Sequence, residues 1–135
     1  MDIQQSLQRI LEQKDVFADL FYLIFLDRYP EVRAHFEGVN LKRQGLLLTM
    51  ALLVIERNHA GDFPSTRQFL RYLGSKHNDR GIPTEAYPKF KKAFLAALER
   101  FHSRDWNAAL AEDWSEAIDE ATKLMLDGYL TRLSV

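Results

Sequence analysis

Apolar positions recur every three or four residues along almost the whole chain, and alternation of period two is absent over any useful length. The pattern is clearest near the end. Leu110, Trp114, Ile118, Ala121, Met125 and Tyr129 mark one face of a long helix, with charged residues between them and Asn107 placed to cap it. Tyr87, Phe90, Phe94, Leu98 and Phe101 mark another; Thr84 is its expected cap, and Pro88 falls early enough in the helix to be tolerated. Residues 2–13 predict a short, weakly apolar helix. Val16, Phe17, Leu20, Phe21, Ile24 and Phe25 predict a strongly apolar one that ends before Pro30, because the residue preceding a proline avoids the helical region. A brief segment, Pro30 to Phe36, follows. Asn40 opens a helix through about Asn58, so apolar from Leu46 to Ile55 that burial on most sides is expected. The cluster Gly61-Asp62-Phe63-Pro64-Ser65 breaks it, a further helix runs to about Asp79, and Gly81-Ile82-Pro83 closes that one. The expectation is a single all-α domain over residues 1–135, with about six main helices and a short one joined by short links.

Composition narrows the function classes. Eighteen Lys and Arg balance nineteen Asp and Glu, so the net charge of −1 gives no electrostatic case for a nucleic-acid or membrane partner. The absence of cysteine removes disulfides, zinc thiolates, iron–sulfur clusters and thiol nucleophiles together. The apolar run from Gly45 to Ile55 is about half of the ~20 residues a bilayer span needs. The first twenty residues hold Asp2, Glu12 and Asp15 and no compact apolar block, so no signal peptide is read and a cytoplasmic location is expected. Aromatic residues make up 12%, and Phe17, Phe21, Tyr22, Phe25, Tyr29 and Phe36 fall close together. They fill a helical core, or they enclose a flat apolar cofactor.

The residues that can do chemistry are few. No serine sits in a nucleophile elbow, no glycine loop cradles phosphate, and the acidic residues Glu112, Asp113, Glu116, Asp119 and Glu120 read as a solvated face of the last helix. Of the four histidines, His59 beside the Ala60-Gly61 break and His102 near a helix end are expected in solvent, and His35 can point either way. His77 continues the apolar face of Leu70 and Leu73 near a helix C-terminus. It is a satisfied core residue or a ligand. As a ligand it has no second His or Cys at zinc spacing, which suits a metal whose other ligands come from a macrocycle: haem with one axial imidazole.

Four stretches together resemble the globin family, and most of all the bacterial single-domain haemoglobins and the globin part of flavohaemoglobins. They are Phe21-Tyr22-Leu23-Ile24-Phe25 with Tyr29-Pro30-Glu31-Val32-Arg33 running to Phe36; Gln44-Gly45 with Leu48 one turn on; Leu73-Gly74-Ser75-Lys76-His77, then Gly81-Ile82 and Tyr87-Pro88; and Trp114 with Met125. The spacing of ten from His77 to Tyr87 is the most specific of these signals. The resemblance covers about residues 16–130 and implies a globin fold around a haem b pocket.

It implies His77 as the iron ligand, its second ring nitrogen donating to a backbone carbonyl near Leu73. Phe36 would pack on the porphyrin, Leu48, Leu73, Ile82, Phe90 and Phe94 would wall it, and Lys76 would reach a propionate. Tyr22 and Gln44 would approach a diatomic gas (oxygen, carbon monoxide or nitric oxide), each donor worth about 1 kcal/mol or somewhat more to a ligand that carries partial negative charge. Gln44 is preferred to Arg43 because it puts Leu48 and Leu52 on the same face. The resemblance leaves several roles: oxygen carrier or scavenger; nitric oxide removal with a separate reductase; or a gas-sensing or haem-free regulatory module, as monomer or homodimer. In the bacterial relatives a glutamate of the last helix joins the His and Tyr of this group; the corresponding place here is Tyr129, which argues against peroxidase-like chemistry.

Overall fold

Local chemistry decides where most of the helices begin. A computed structural model describes residues 1–61 and 63–130, so Asp62 of the expected break and residues 131–135 lie outside the described part. Six α-helices are present there: α1 (Ile3–Glu12), α2 (Lys14–Arg28), α3 (Leu41–Ala60), α4 (Pro64–Asp79), α5 (Ala86–His102) and α6 (Ala108–Leu130). A 3-10 turn, Pro30–Phe36, links α2 to α3, and another, Ser103–Asp105, follows α5. Asn40 caps α3 by accepting from the N–H groups of Lys42 and Arg43 at 3.0 and 3.2 Å. Asn107 accepts from Leu110 N–H at 2.9 Å and starts α6. Each cap satisfies amides that the first helical turn leaves without partners. Thr84 does not cap α5; its backbone carbonyl, not its hydroxyl, accepts from Tyr87 N–H at 3.2 Å, because the chain enters this helix through a tight turn after Pro83.

The core is aromatic. Phe17, Phe21, Phe94 and Trp114 are almost fully buried. Phe94 stands edge-on to Phe17 at 5.7 Å and to Trp114 at 5.4 Å between ring centres, the geometry that brings a positive ring edge to a negative ring face. Beside them lies a buried polar node. Trp114 Nε1–H donates to Ser6 Oγ at 2.9 Å, so the Ser6 hydroxyl proton turns to His102 Nε2 at 2.6 Å. His102 is therefore buried rather than solvated as expected, and its Nδ1 has no hydrogen-bond partner among the described residues. Burial, the largest influence, and the nearby Arg9 charge hold this imidazole below its ordinary pKa. His59 is not free in solvent either: its Nδ1 lies 3.1 Å from Glu120 Oε2 on α6.

The apolar stretch of α3 departs from expectation. Leu48, Leu52 and Ile55 are buried, whereas Leu46, Leu47, Met50 and Leu53 are 45–54% exposed. One face of α3 packs on α1, α2 and α6, and nothing among the described residues covers the other. No single helix among these residues is long and apolar enough to cross a membrane.

The closest helix crossing is that of α4 on α6. A Cβ on Gly74 would lie 1.8 Å from the Met125 carbonyl oxygen, and one on Gly128 would lie 2.0 Å from the Arg71 carbonyl oxygen. Two glycines, one from each helix, thus let backbone meet backbone where side chains would hold the axes apart at the usual 8–10 Å or so. The crossing seats α4 one turn before His77. Beyond α4 the chain turns at Gly81, whose φ of +75° lies in the left-handed region that glycine enters without steric cost.

Candidate functional site

Between these helices lies a cleft that encloses about 1030 Å³ of space between atoms, its open mouth included. Cofactor sites run to roughly 300–1,000 Å³. Every helix except α1 contributes to the lining, and most of the contributing groups are apolar. Of the residues singled out from sequence, Tyr22, Phe36, Gln44, Leu48, Leu73, His77, Ile82 and Phe90 all line it. Arg43 is exposed and does not, which settles the register of α3.

Two expected wall or rim residues are elsewhere. Phe94, one turn beyond Phe90, is fully buried among Phe17, Phe21 and Trp114, because that turn carries it past the cleft floor into the core. Lys76 is exposed outside the cleft, its ammonium 5.4 Å above the Tyr72 ring.

His77 occupies the C-terminal turn of α4, carried there by the glycine crossing. Its Nδ1 lies 2.9 Å from Tyr87 Oη. This differs from the expected bond to the Leu73 carbonyl. Within a helix that carbonyl already receives the backbone N–H of residue 77, and the Tyr87-Pro88 start of α5 delivers a phenol to the ring instead. With Nδ1 engaged, Nε2 is the ring nitrogen left for the cleft. Burial, chiefly, and the Arg80 charge push the His77 pKa down to about 4, so the imidazole is neutral at physiological pH and keeps a lone pair for a metal.

Tyr22 enters from α2 and Gln44 from the first turn of α3. The Tyr22 hydroxyl lies 3.4 Å from the Gln44 backbone carbonyl, a long contact. Burial pushes its pKa up to about 12, against a smaller lowering from Gln44, so Tyr22 is a neutral donor that is only weakly committed. Its ring is braced edge-on by Phe21 at 5.0 Å and Phe36 at 5.6 Å.

Several lining residues were not singled out from sequence. Ile118, Thr122 and Met125 reach the cleft from α6, and Phe21 and Phe25 from α2. Their helical spacing reads equally well as core, and only the neighbours decide. His35 stands at the mouth, exposed yet part of the lining. Tyr87 did carry a signal, its spacing of ten from His77. Burial, first, and then the hydroxyl bond with Tyr129 raise its pKa well above the ordinary phenol value.

The donor set fits the group that the sequence pointed to. A flat apolar macrocycle finds aromatic and aliphatic walls, and a metal held by that macrocycle finds one neutral imidazole nitrogen. Such a set has too few ligands to hold a bare metal ion by itself.

Comparison with known proteins agrees with this architecture. A bacterial globin from Campylobacter jejuni superposes with a TM-score of 0.79 at 22% identity, over 95% of this chain and 91% of that one. A Pseudomonas aeruginosa PAO1 protein described as structurally highly homologous to a human haemoglobin gives 0.79 at 24% identity, over 95% and 98%. In sequence, a neuroglobin of Chaenocephalus aceratus is 27% identical over 84 residues, 61% of this chain and 53% of that protein, so the match spans about half of the relative's length. The family model for Globin matches residues 18–125. On a match of that extent, the chain belongs to the globin family.

Proposed function

We propose that the protein holds haem b in this cleft and reversibly binds a diatomic gas, oxygen first among them. The observation that carries the reading is His77: a neutral imidazole in an apolar cleft, Nδ1 bonded to Tyr87 and Nε2 left over, with the Tyr22 donor in the same cleft. Haem supplies an iron at which small gases bind and leave. This chain's residues do the rest. His77 Nε2 serves as the axial ligand, and the Tyr87 bond holds the ring at one orientation. Phe36, Leu48, Leu73, Ile82 and Phe90 wall the ring system and exclude water, which favours reversible binding over side reactions. The Tyr22 hydroxyl, held only by a long bond, turns towards a gas that carries partial negative charge, with the Gln44 amide beside it. A donor of this kind favours oxygen over carbon monoxide. Removal of nitric oxide would draw electrons from a separate reductase.

An absorption spectrum of the purified chain tests the reading, taken as isolated, after reduction, and after exposure to oxygen and to carbon monoxide. An intense Soret band that moves with each gas is expected. No Soret band even after addition of haemin would overturn the proposal, and so would a haem spectrum unchanged in His77→Ala.

A further inference from the structure

Three hydrogen bonds run from the His77 ring and return to its own loop. His77 Nδ1 lies 2.9 Å from Tyr87 Oη. The Tyr87 and Tyr129 hydroxyls are bonded to each other, with their ring centres 5.9 Å apart. Tyr129 Oη–H donates to the Ile82 carbonyl at 2.8 Å. Ile82 N–H in turn donates to the His77 backbone carbonyl at 3.0 Å, so the far end of the path is anchored five residues from its start.

The path has a direction that can be deduced. A peptide carbonyl only accepts, and a phenol has a single proton to give. Tyr129 gives its proton to Ile82 and therefore has none for Tyr87. Tyr87 must donate to Tyr129 and has none for His77. The remaining link closes only if the imidazole is the donor, which puts its proton on Nδ1 and the lone pair on Nε2.

We propose that Tyr129, acting through Tyr87, is a positioning residue that locks His77 in the Nδ1–H tautomer, so that Nε2 is ready to ligate before any metal arrives. The inference rests on the haem reading for the use of that nitrogen, but the tautomer is a property of the polypeptide alone. The path contains no carboxylate. It ends on a neutral peptide group, so it orients the imidazole without adding the negative charge that an ionised terminus would.

The test is nitrogen NMR of the full chain labelled with 15N-histidine, in the haem-free form and at neutral pH. The wild type is expected to show His77 with a protonated Nδ1 and a bare Nε2, their two shifts well separated. Tyr129→Phe keeps the ring and its packing but removes the acceptor of the Tyr87 proton, which then competes for Nδ1. The separation of the two shifts should shrink as the Nε2–H form becomes populated. Tyr87→Phe should also remove the preference, and circular dichroism checks that both variants keep their helices. A second measurement uses the reduced, carbon monoxide-treated holoprotein. There the Nδ1 proton should exchange with deuterated water several-fold faster in Tyr129→Phe. A wild-type proton on Nε2 overturns the proposal, as does a Tyr129→Phe chain with unchanged shifts and exchange. The two readings fail separately. A chain that shows the locked tautomer but takes up no haem refutes only the haem reading, whereas a chain that holds haem yet ignores Tyr129→Phe refutes only this one.

Discussion

Gly74→Ala places a methyl group where the structure has none to spare. The new Cβ would stand 1.8 Å from the Met125 carbonyl oxygen, with the carbonyl carbon and Cα of the same residue at 2.5 and 2.6 Å. Ordinary contact begins near 3.4 Å, so the α4–α6 crossing must open by about 1.6 Å along that line. Backbone cannot swing aside as a side-chain tip can, which puts the cost at the upper end of the ~1–3 kcal/mol seen for overpacked cores. The gain in helix propensity from glycine to alanine offsets about 1 kcal/mol. A net loss of about 2 kcal/mol remains, and for a chain of this size that lowers the melting temperature by roughly 8 °C. Because His77 lies one turn further along α4, the same displacement moves the imidazole, and weaker haem retention should accompany the lower melting point. Thermal unfolding followed by circular dichroism measures the first effect, and haem transfer to an acceptor apoprotein the second. Gly45→Ala, which meets only the Ala18 methyl at 2.9 Å, should lose less. A Gly74→Ala chain that melts within a degree of the wild type would refute the argument that this crossing is set by backbone contact.

Tyr22→Phe should speed oxygen release about tenfold while carbon monoxide release changes little, since one hydrogen bond to a partly negative ligand is worth about 1 kcal/mol or somewhat more; stopped-flow dissociation rates check it. Burial holds His102 below its ordinary pKa of about 6.5, so the unfolded chain takes up that proton first. Its contribution to stability is whole above about pH 6.5 and is lost as the pH falls below that value. Urea midpoints between pH 7.5 and 5 should therefore fall less steeply in His102→Gln, which keeps an acceptor for Ser6 but cannot charge. Asn107→Ala removes the acceptor at the start of α6 and should cost about 1 kcal/mol, read from the urea midpoint with the slope unchanged.

What could be read in the sequence was what neighbouring residues decide. Asn40 and Asn107 announce helix starts because the cap is made within three residues. Pro30 announces a helix end because its ring constrains the residue before it. His77, Tyr22 and Gln44 could be matched to a family because their spacing survives as a pattern. The misreadings concern burial and partners, which distant chain segments decide. Leu46, Leu47, Met50 and Leu53 look like core but face outwards, since α3 is covered on one side only. His102 looks exposed but is buried, because Ser6 and Trp114 arrive from opposite ends of the chain to meet it. Phe94 follows Phe90 at helical spacing, yet one turn separates the cleft from the core. The partner of His77 was misassigned for the same reason, as Tyr87 reaches it from the next helix.

The buried node of Ser6, His102 and Trp114 has a consequence for how the chain acquires its structure. Its two bonds join residues 96 and 108 positions apart. A ribosome delivers α1 first and the partners of α1 near the end of synthesis, at about 5–20 residues per second. For most of that time Leu7 and Ile10 have no core to enter, and α1 alone, at ten residues, falls short of the roughly 12–15 needed for even marginal helicity in water. The first helix to be made is thus the last to be docked. The nascent chain passes through a stage in which an α2–α5 intermediate waits for α6, and folding closes with the two ends of the polypeptide meeting at one serine.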